Sequence, residues 1–248
     1  MQSVVRSLRV LEEVSVRQPV GVNELSRTLG LPVSSTQRIL VTLADAGWIR
    51  PTGEVSTRWA LTARALIVGR RAMGEVGIRE AASVPMTRLR DLTHETINLS
   101  LLDGEERLVL VERVDSDQAI RTYTKLGGSS PLHATASGRA VLAALPDALV
   151  ERLIASGLPP LTSHTITDPD ALRADVERTR REGYAVNVGG NRPNVCAIGT
   201  AVLDGTGAPI AGLSMSMPDL RFDAQRVPEW GALVMDSARD ISAGLGSG

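Results

Sequence analysis

The pattern of apolar and polar positions predicts three helices in the N-terminal part of the chain. Apolar residues recur at helical spacing in the segment that ends before Pro19. They are Leu8, Leu11 and Val14. A short second helix is predicted over residues 21–30, because Gly30 stands just past its last turn and glycine readily takes the left-handed backbone found there. The following Leu31-Pro32 predicts a tight turn.

The third helix carries the strongest functional signal of this part of the chain. Ser34 and Gln37 have the spacing of a capping box, so the helix is predicted to begin at Ser34 and to stop at Gly47. Two short helices around a tight turn form a helix-turn-helix. The first turn of such a helix favours phosphate, and arginine binds guanine through two hydrogen bonds. Besides Ser34 and Gln37, the predicted DNA contacts of this helix are Ser35, Thr36 and Arg38.

A hairpin is predicted after the third helix. Two short strands lie on either side of a turn at residues 51–54 and form a wing, which makes the head a winged helix-turn-helix. Arg50 and Arg58 on this wing are predicted phosphate contacts. Its tryptophans, Trp48 and Trp59, are expected to pack in the core instead.

A connecting helix is predicted over residues 62–78 from apolar positions at helical spacing. These positions are Leu66, Ile67, Met73 and Val76. They exceed what a solvated linker needs, so the helix either pairs with a second subunit or packs on its own chain. The predicted organisation is a DNA-binding domain over residues 1–60, a linker over 61–78 and a sensor domain over 79–248.

The remainder of the chain alternates helices and strands. Hairpins are predicted where Asp103-Gly104 and Asp204-Gly205 separate apolar runs. The predicted strands cover residues 97–102, 108–111, 119–124, 184–188, 197–203 and 210–217. The predicted helices cover residues 135–145, 147–156, 168–183 and 224–243, after a helix that runs through Met86, Leu89 and Leu92. This order predicts an α+β fold, an antiparallel sheet covered by helices.

A candidate ligand site lies in residues 132–138. Small residues before a helix let backbone N–H groups approach a ligand, and a helix N-terminus prefers an anion. With the hydroxyls of Thr135 and Ser137, this segment predicts a site for a carboxylate or phosphate. The alternative is that Thr135 only caps the helix.

Two serines on a later strand support a site in this domain. Ser214 and Ser216 point to the same face, because strand side chains alternate. They either line a cavity or are hydrogen-bonded in the core. Cys196 begins the neighbouring strand, where a lone cysteine is usually a small buried apolar residue.

Charge and composition narrow the function. Residues 1–71 hold ten Arg against five acidic residues, a net charge of +5, and the rest of the chain carries −6. A basic head on an acidic body is expected of a nucleic-acid-binding module joined to another domain, although chance surface composition is the alternative. The single cysteine excludes a disulfide framework, and neither a metal site nor a cofactor is predicted. With no signal peptide or membrane-spanning run in the sequence, a cytoplasmic protein is expected.

These motifs resemble the IclR family of regulators along almost the whole chain. In the head, the resemblance is carried by Ser7-Leu8-Arg9-Val10-Leu11, Gly30-Leu31-Pro32, Arg38-Ile39-Leu40 and Gly47-Trp48. In the body, it is carried by Pro131-Leu132-His133-Ala134-Thr135-Ala136-Ser137-Gly138, Thr165-Ile166-Thr167-Asp168-Pro169 and Arg181-Glu182-Gly183-Tyr184-Ala185. Motifs from both parts in this order are far more specific than the head alone.

The resemblance implies a GAF-like effector domain, assembly into dimers or dimers of dimers, and control of catabolic genes by small organic acids or aromatic metabolites. In this family the pocket is formed by a loop, an acidic position, a cysteine and two serines. The matching positions are Thr135, Ala136, Ser137, Asn187, Cys196, Ser214 and Ser216. Asn187 stands where aspartate is common, and Asn191-Arg192-Pro193-Asn194 replaces an acidic run, so repulsion of a second anionic group on the ligand should relax.

Two other functions stay open on the sequence alone. With Cys196 as nucleophile and His133 or His164 as base, the chain would be an enzyme, although no cysteine-hydrolase signature accompanies the cysteine. An architectural DNA-binding protein would use its body only to form oligomers. That reading requires no cavity between the Thr135 loop and the two serines.

Overall fold

The chain divides into two units, Met1–Glu75 and Val76–Gly248, each with its own apolar core. The computed structural model describes residues 2–53, 56–72 and 77–245. No helix in the described part of the chain is long and apolar enough to cross a membrane.

The first unit has four helices and a small sheet, and the first three helices share a core with the sheet. Its helices are α1 (Gln2–Arg17), α2 (Val22–Leu29), α3 (Val33–Asp45) and α4 (Arg64–Ala72). Its strands are β1 (Val20–Gly21), β2 (Ile49–Thr52) and β3 (Arg58–Leu61), in the antiparallel order β1-β3-β2. The core joins Val10 and Val14 of α1 to Leu25, Leu40 and Trp59. The predicted helix-turn-helix and wing are therefore present, with β1 as an unexpected third strand.

Two local predictions in this unit are wrong. The helix α3 begins at Val33 with Pro32 at its N-cap position and no side-chain cap, so Ser34 and Gln37 form no capping box. Pro32 already supplies the extended backbone that precedes a helix, which places Ser34 inside the first turn. The predicted first helix is present as α1, with Leu8 52% exposed and Val10 in the core. The predicted turn at residues 51–54 starts too early, since β2 continues to Thr52.

The connecting helix is observed in part. It is α4, on which Leu66 and Ile67 are exposed. Met73 and Val76, which the prediction included, lie outside the described residues, as does position 54 of the predicted wing turn. Ile78 opens the next helix and packs in the core of the second unit rather than ending the linker.

The second unit is a six-stranded antiparallel sheet with helices on both faces. Its strands are β4 (Thr96–Asp103), β5 (Arg107–Val114), β6 (Ser129–Pro131), β7 (Ala185–Val188), β8 (Val195–Leu203) and β9 (Pro209–Pro218). Their order is β6-β5-β4-β9-β8-β7. Its helices are α5 (Ile78–Thr93), α6 (Ala136–Ala144), α7 (Asp147–Ser156), α8 (Pro169–Glu182) and α9 (Val227–Leu245). The predicted α+β architecture is confirmed.

The two faces of this sheet carry different cores. On one face α5 and α9 pack against strand residues such as Ile97, Ile198 and Met215. On the other face α6 approaches the sheet closely, and α7 and α8 share an apolar core with it. Glycine makes the approach of α6 possible, because a Cβ atom at Gly199 would lie 2.4 Å from the backbone nitrogen of Ser137.

The expected strand over residues 119–124 is wrong. Residues 127–131 occupy the free edge of β5 instead, through the pairing of β6 and a hydrogen bond from Leu110 N to Gly128 O at 2.9 Å. Within residues 119–124, the carbonyl of Thr122 accepts a hydrogen bond from the hydroxyl of Thr96 at 3.4 Å. Leu92 is exposed, although α5 itself and its buried residues Met86 and Leu89 are as predicted.

Candidate functional site

The first turn and a half of α3 presents a polar surface, which we call the α3 face. It consists of Ser34, Ser35, Gln37 and Arg38, of which Ser35 is half-buried and the others are exposed. Thr36 does not belong to it, because its side chain is fully buried and its hydroxyl donates to the carbonyl of Pro32 at 3.1 Å. The prediction of Thr36 as a DNA contact is therefore wrong for its side chain.

A groove runs between the α3 face and the wing. Gln37 lines it together with Asn23 and Arg27 of α2 and with Arg58 of the wing. The Arg58 guanidinium is already used inside the unit, since its Nε donates to Pro19 O at 2.9 Å and one of its Nη atoms lies 3.6 Å from a Glu24 carboxylate oxygen. Arg58 therefore fixes the wing to the helices, whereas Arg50 is exposed on β2.

A second groove lies on the other side of the α3 face. Arg38 and Ser35 line it with Ser3, Arg6 and Ser7 of α1. Sequence reasoning missed the contributions of α1 and α2 to this surface. The excess of arginine in the head was the only sequence signal that pointed to α1 and α2. This signal was not sufficient, because charge does not say which side chains the fold brings together.

The second unit contains a cavity of about 80 Å³ between the sheet and the start of α6, which we call the sheet cavity. It lies on the sheet face opposite α5 and α9. Its polar lining residues are Asn98, Ser100, Thr122, Thr124, Ser130, Thr135, Ser137, Asn187, Asn191, Arg192, Ser214 and Ser216. Its other lining residues are Leu108, Leu110, Gly128, Ala136, Val195 and Ala197.

The N-terminus of α6 forms one wall of the sheet cavity. Thr135 is the N-cap residue, and its Oγ1 accepts from the backbone N–H of Gly138 at 2.9 Å. Ala136 and Ser137 line the cavity from the first turn, where backbone N–H groups have no helical partner. Thr135 thus caps the helix and also lines the cavity, and its part in binding a ligand stays a prediction.

The strands β4 and β9 form the opposite wall. Asn98 is the register partner of Ser214, and Thr96 is the partner of Ser216. Ser214 and Ser216 line the cavity from the same face of β9, as the alternation of side chains predicts. The hydroxyl of Ser216 is hydrogen-bonded to that of Thr122 at 2.8 Å, so this serine also holds the segment that crosses the end of the strand.

Asn187 is buried at the edge of the cavity and uses both ends of its amide within the protein. Its Nδ2 donates to the carbonyl of Ala134 at 3.0 Å, and its Oδ1 accepts from the N–H of Gly190 at 3.1 Å. Asn187 therefore positions the loop before α6 and the turn after β7. Each end of the amide keeps one further hydrogen-bonding position, the second N–H of Nδ2 and the second lone pair of Oδ1.

Cys196 does not line the sheet cavity. It is the register partner of Met217, and it packs with Ile198 and Met215 in the core beneath α5 and α9. Its neighbour Ala197, the register partner of Ser216, faces the cavity instead. The predicted role of Cys196 in the pocket is wrong, because a shift of one residue along a strand moves a side chain to the other face.

Arginine is the only charged residue type in the described lining of the cavity. Arg192, in the loop between β7 and β8, donates from Nη1 to the carbonyl of Tyr123 at 2.5 Å. Arg113 of β5 donates to Thr124 O and stacks its guanidinium 4.2 Å from the centre of the Tyr123 ring. Arg221 donates to Ile120 O at 2.8 Å. Three arginines thus hold the segment that carries Thr122 and Thr124 over the cavity.

Two comparisons with sequence families cover both units. Residues 70–243 match the family described as "Bacterial transcriptional regulator IclR C-terminal", and residues 3–53 match the "IclR helix-turn-helix domain". The chain belongs to the IclR family.

Individual IclR-family proteins match over the full length of the chain. The transcriptional regulator KdgR of Escherichia coli is 33% identical over 99% of this chain and 93% of its own. The crystal structure of Thermotoga maritima IclR is 27% identical, with a TM-score of 0.78 over 99% of both chains. An IclR homologue of Microbacterium hydrocarbonoxydans, crystallised with 4-hydroxybenzoate, is 25% identical, with a TM-score of 0.83 over 98% of both chains.

Membership of the IclR family decides between the functions that the sequence left open. The first unit is a DNA-binding domain, the second unit is an effector-binding domain, and the protein is an effector-regulated transcription regulator rather than an enzyme. The environment of Cys196 also argues against a catalytic cysteine, because burial raises the pKa of its thiol and so disfavours the nucleophilic thiolate. His133 is buried and its Nε2 donates to Pro159 O at 3.1 Å, and burial lowers its pKa.

Proposed function

We propose that this regulator binds operator DNA through the α3 face and that a small organic anion in the sheet cavity controls this binding. The DNA contacts we propose are Ser34, Ser35, Gln37 and Arg38, with Arg50 and Arg58 beside them on the wing. The observation in support is that α3 presents its free N-terminal N–H groups and an exposed arginine on one surface, flanked by two polar grooves.

The DNA-binding proposal is tested with the variant Arg38→Ala in the full chain. Loss of a base contact costs about 1–3 kcal/mol and relaxes sequence preference at one position of the operator. The measurement is fluorescence anisotropy at several salt concentrations on DNA from the region upstream of the regulator's own gene. Arg17→Ala is the matched control, because Arg17 lies at the far end of α1 and its Nε bonds to Glu13 at 2.7 Å. Equal affinities for the Arg38 variant and the wild type would contradict the proposed interface.

The proposal of an anionic effector rests on the charge of the sheet cavity. Arg192 and the N-terminus of α6 both favour negative charge, and no acidic residue lines the cavity among the described residues. The solved relative from Microbacterium hydrocarbonoxydans binds 4-hydroxybenzoate, which is also a carboxylate.

The cavity favours a small and polar acid. Its volume of about 80 Å³ is below the roughly 150 Å³ of an engineered cavity that accepts benzene. Twelve of its eighteen lining residues are polar, so the cavity offers many hydrogen-bonding groups to a polar ligand. We therefore place aliphatic acids of two to four carbons before aromatic acids, which need the segment that carries Thr122 and Thr124 to move.

Calorimetry on the full chain tests the anion. Butanoate and its neutral analogue butanamide have nearly the same shape, so their difference in affinity reports the charge. We expect butanoate to bind more tightly, and Arg192→Gln to remove most of this preference. Arg181→Gln is the control, since Arg181 is an exposed arginine of α8 that does not line the cavity. Binding that is independent of both charge and Arg192 would contradict the proposal.

We also propose that the protein acts as a dimer or a dimer of dimers. The apolar side chains of Leu66, Ile67 and Val68 on α4 are 62%, 52% and 45% exposed, which leaves them available for a second subunit. A dimer would also place two α3 faces on successive half-sites of the operator. Light scattering should give at least a dimer for the wild type and a smaller species for Leu66→Glu/Ile67→Glu. The control is Leu161→Glu, at an exposed leucine of the second unit.

We propose a cytoplasmic location on functional grounds. Operator DNA and the products of catabolism meet there in a bacterial cell. Fractionation with an antibody against the protein tests this, and a membrane-bound pool would contradict it.

A further inference from the structure

The polar residues that line the sheet cavity differ in whether they have a partner within the protein. Asn187 uses both ends of its amide, Thr135 caps α6, and Ser216 bonds to Thr122. Asn98 is different. Its Oδ1 is buried and accepts no hydrogen bond from any described residue.

Asn98 is a buried part of the cavity lining. It is the third residue of β4, opposite Ser214 on β9, and its exposure is 9%. A buried acceptor without a partner is unfavourable, and native proteins keep few of them. Such a group is explained when a bound ligand supplies the missing donor.

In the amide orientation of the structure, the missing partner of Asn98 Oδ1 is a hydrogen-bond donor. An ionised carboxylate only accepts hydrogen bonds, so it cannot satisfy Asn98 Oδ1, and neither can a ketone. A hydroxyl group donates one hydrogen bond and is small enough for a cavity of about 80 Å³. The carboxylate of the same ligand would lie toward Arg192 and the N-terminus of α6.

We propose that Asn98 recognises a hydroxyl group of the effector, so that the effector is a small hydroxy acid rather than an unsubstituted or keto acid. This inference rests on the proposed anionic effector and adds its second functional group. Asn98 is then a specificity-determining residue, because a buried polar group that the wrong ligand leaves unpaired discriminates against that ligand.

The experiment compares butanoate with 2-, 3- and 4-hydroxybutanoate by calorimetry on the full chain. The three isomers place the hydroxyl at different distances from the carboxylate. We expect at least one of them to bind about tenfold more tightly than butanoate, the effect of one well-formed hydrogen bond. If none of the three binds more tightly than butanoate, the proposal is overturned without any variant.

Asn98→Leu assigns this preference to the side chain. The change keeps the branched four-atom shape of the side chain and removes the amide, so the hydroxy acid should lose its advantage over butanoate. Ser129→Ala is the control, because Ser129 is an exposed serine of β6 that does not line the cavity, and this variant should keep the preference. A preference that survives in Asn98→Leu, or that falls equally in Ser129→Ala, would overturn the assignment.

The melting temperature and the dependence of binding on Arg192 separate a role of Asn98 in recognition from a purely structural one. The melting temperature of unliganded Asn98→Leu should not fall, because the amide oxygen has no partner to lose, whereas a purely structural asparagine would lower it. Anion binding that needs Arg192 but shows no hydroxyl preference overturns only the role of Asn98. Binding that does not need Arg192 overturns the anionic effector itself.

Discussion

Removing either partner of the buried ion pair Arg139–Asp175 should destabilise the second unit, and by different amounts. The pair joins α6 to α8, and the side chains are only 4% and 7% exposed. Arg139 Nη1 donates to Asp175 Oδ2 at 2.7 Å, and Nη2 donates to the carbonyl of Val186 at 2.6 Å. Arg178 donates to the other carboxylate oxygen of Asp175.

The expected magnitudes follow from what each substitution leaves behind. Asp175→Leu leaves the Arg139 guanidinium buried with only a carbonyl as acceptor, and breaking a buried pair in this way costs about 3–5 kcal/mol. Arg139→Met leaves Asp175 paired with Arg178, so we expect a smaller cost of about 1–3 kcal/mol. The double variant removes both charges and should cost less than the sum of the two single changes.

Hydrogen exchange of the full chain, read by mass spectrometry on peptides of α8, measures these free energies locally. Arg173→Met is the control, because Arg173 pairs with Glu151 on the surface, where solvent screening leaves such a pair little effect on stability. An Arg139→Met variant that loses more stability than Asp175→Leu would refute the reasoning. So would additive losses in the double variant.

Three further predictions concern single side chains. Burial raises the pKa of the Cys196 thiol and limits access to it. A thiol reagent at pH 8 should therefore react at least about 100-fold more slowly with the folded protein than with the urea-unfolded protein. Equal rates would contradict the burial of Cys196. Burial, reinforced by the charge of Arg139, lowers the pKa of His133. Below about pH 6.5 the unfolded chain therefore binds more protons than the folded protein, and the free energy of unfolding decreases as the pH is lowered. Between pH 7.5 and 5.5, the free energy of unfolding in urea should decrease less for His133→Gln than for the wild type, whereas His164→Gln should behave like the wild type. Equal decreases in all three proteins would show that His133 is not the origin of the pH dependence. Thr36→Val should retain wild-type affinity for DNA in anisotropy, because the side chain is buried, and a drop of about tenfold would place Thr36 in the interface.

The parts of the fold that local chemistry determines could be predicted from the sequence. Asp168 caps α8 and Gly183 ends it in the left-handed conformation, as their residue types indicate. Asp103-Gly104 closes the hairpin of β4 and β5, because Gly104 readily takes the left-handed backbone of the turn. The alternation of side chains along a strand predicted that Ser214 and Ser216 share one face, and the structure shows that this face lines the cavity.

The parts that depend on long-range pairing could not be predicted in this way. The face on which Cys196 lies depends on its register with Met217, and resemblance to a family does not fix a register to the residue. Residues 119–124 have the composition of a strand, but residues 127–131 occupy the edge that they would need. The unpaired oxygen of Asn98 becomes visible only when every neighbouring side chain has been placed.

The central claim is that an organic anion in the sheet cavity changes the affinity of the first unit for DNA. The most direct measurement is operator affinity by anisotropy, with and without a saturating concentration of the tightest-binding carboxylate, for wild type and Arg192→Gln. Because coupling between two binding sites is reciprocal, DNA should shift the affinity for the carboxylate by the same factor. We predict at least about a fivefold change in operator affinity for the wild type and a much smaller one for Arg192→Gln at the same carboxylate concentration. An operator affinity that the bound carboxylate leaves unchanged in the wild type would contradict the account.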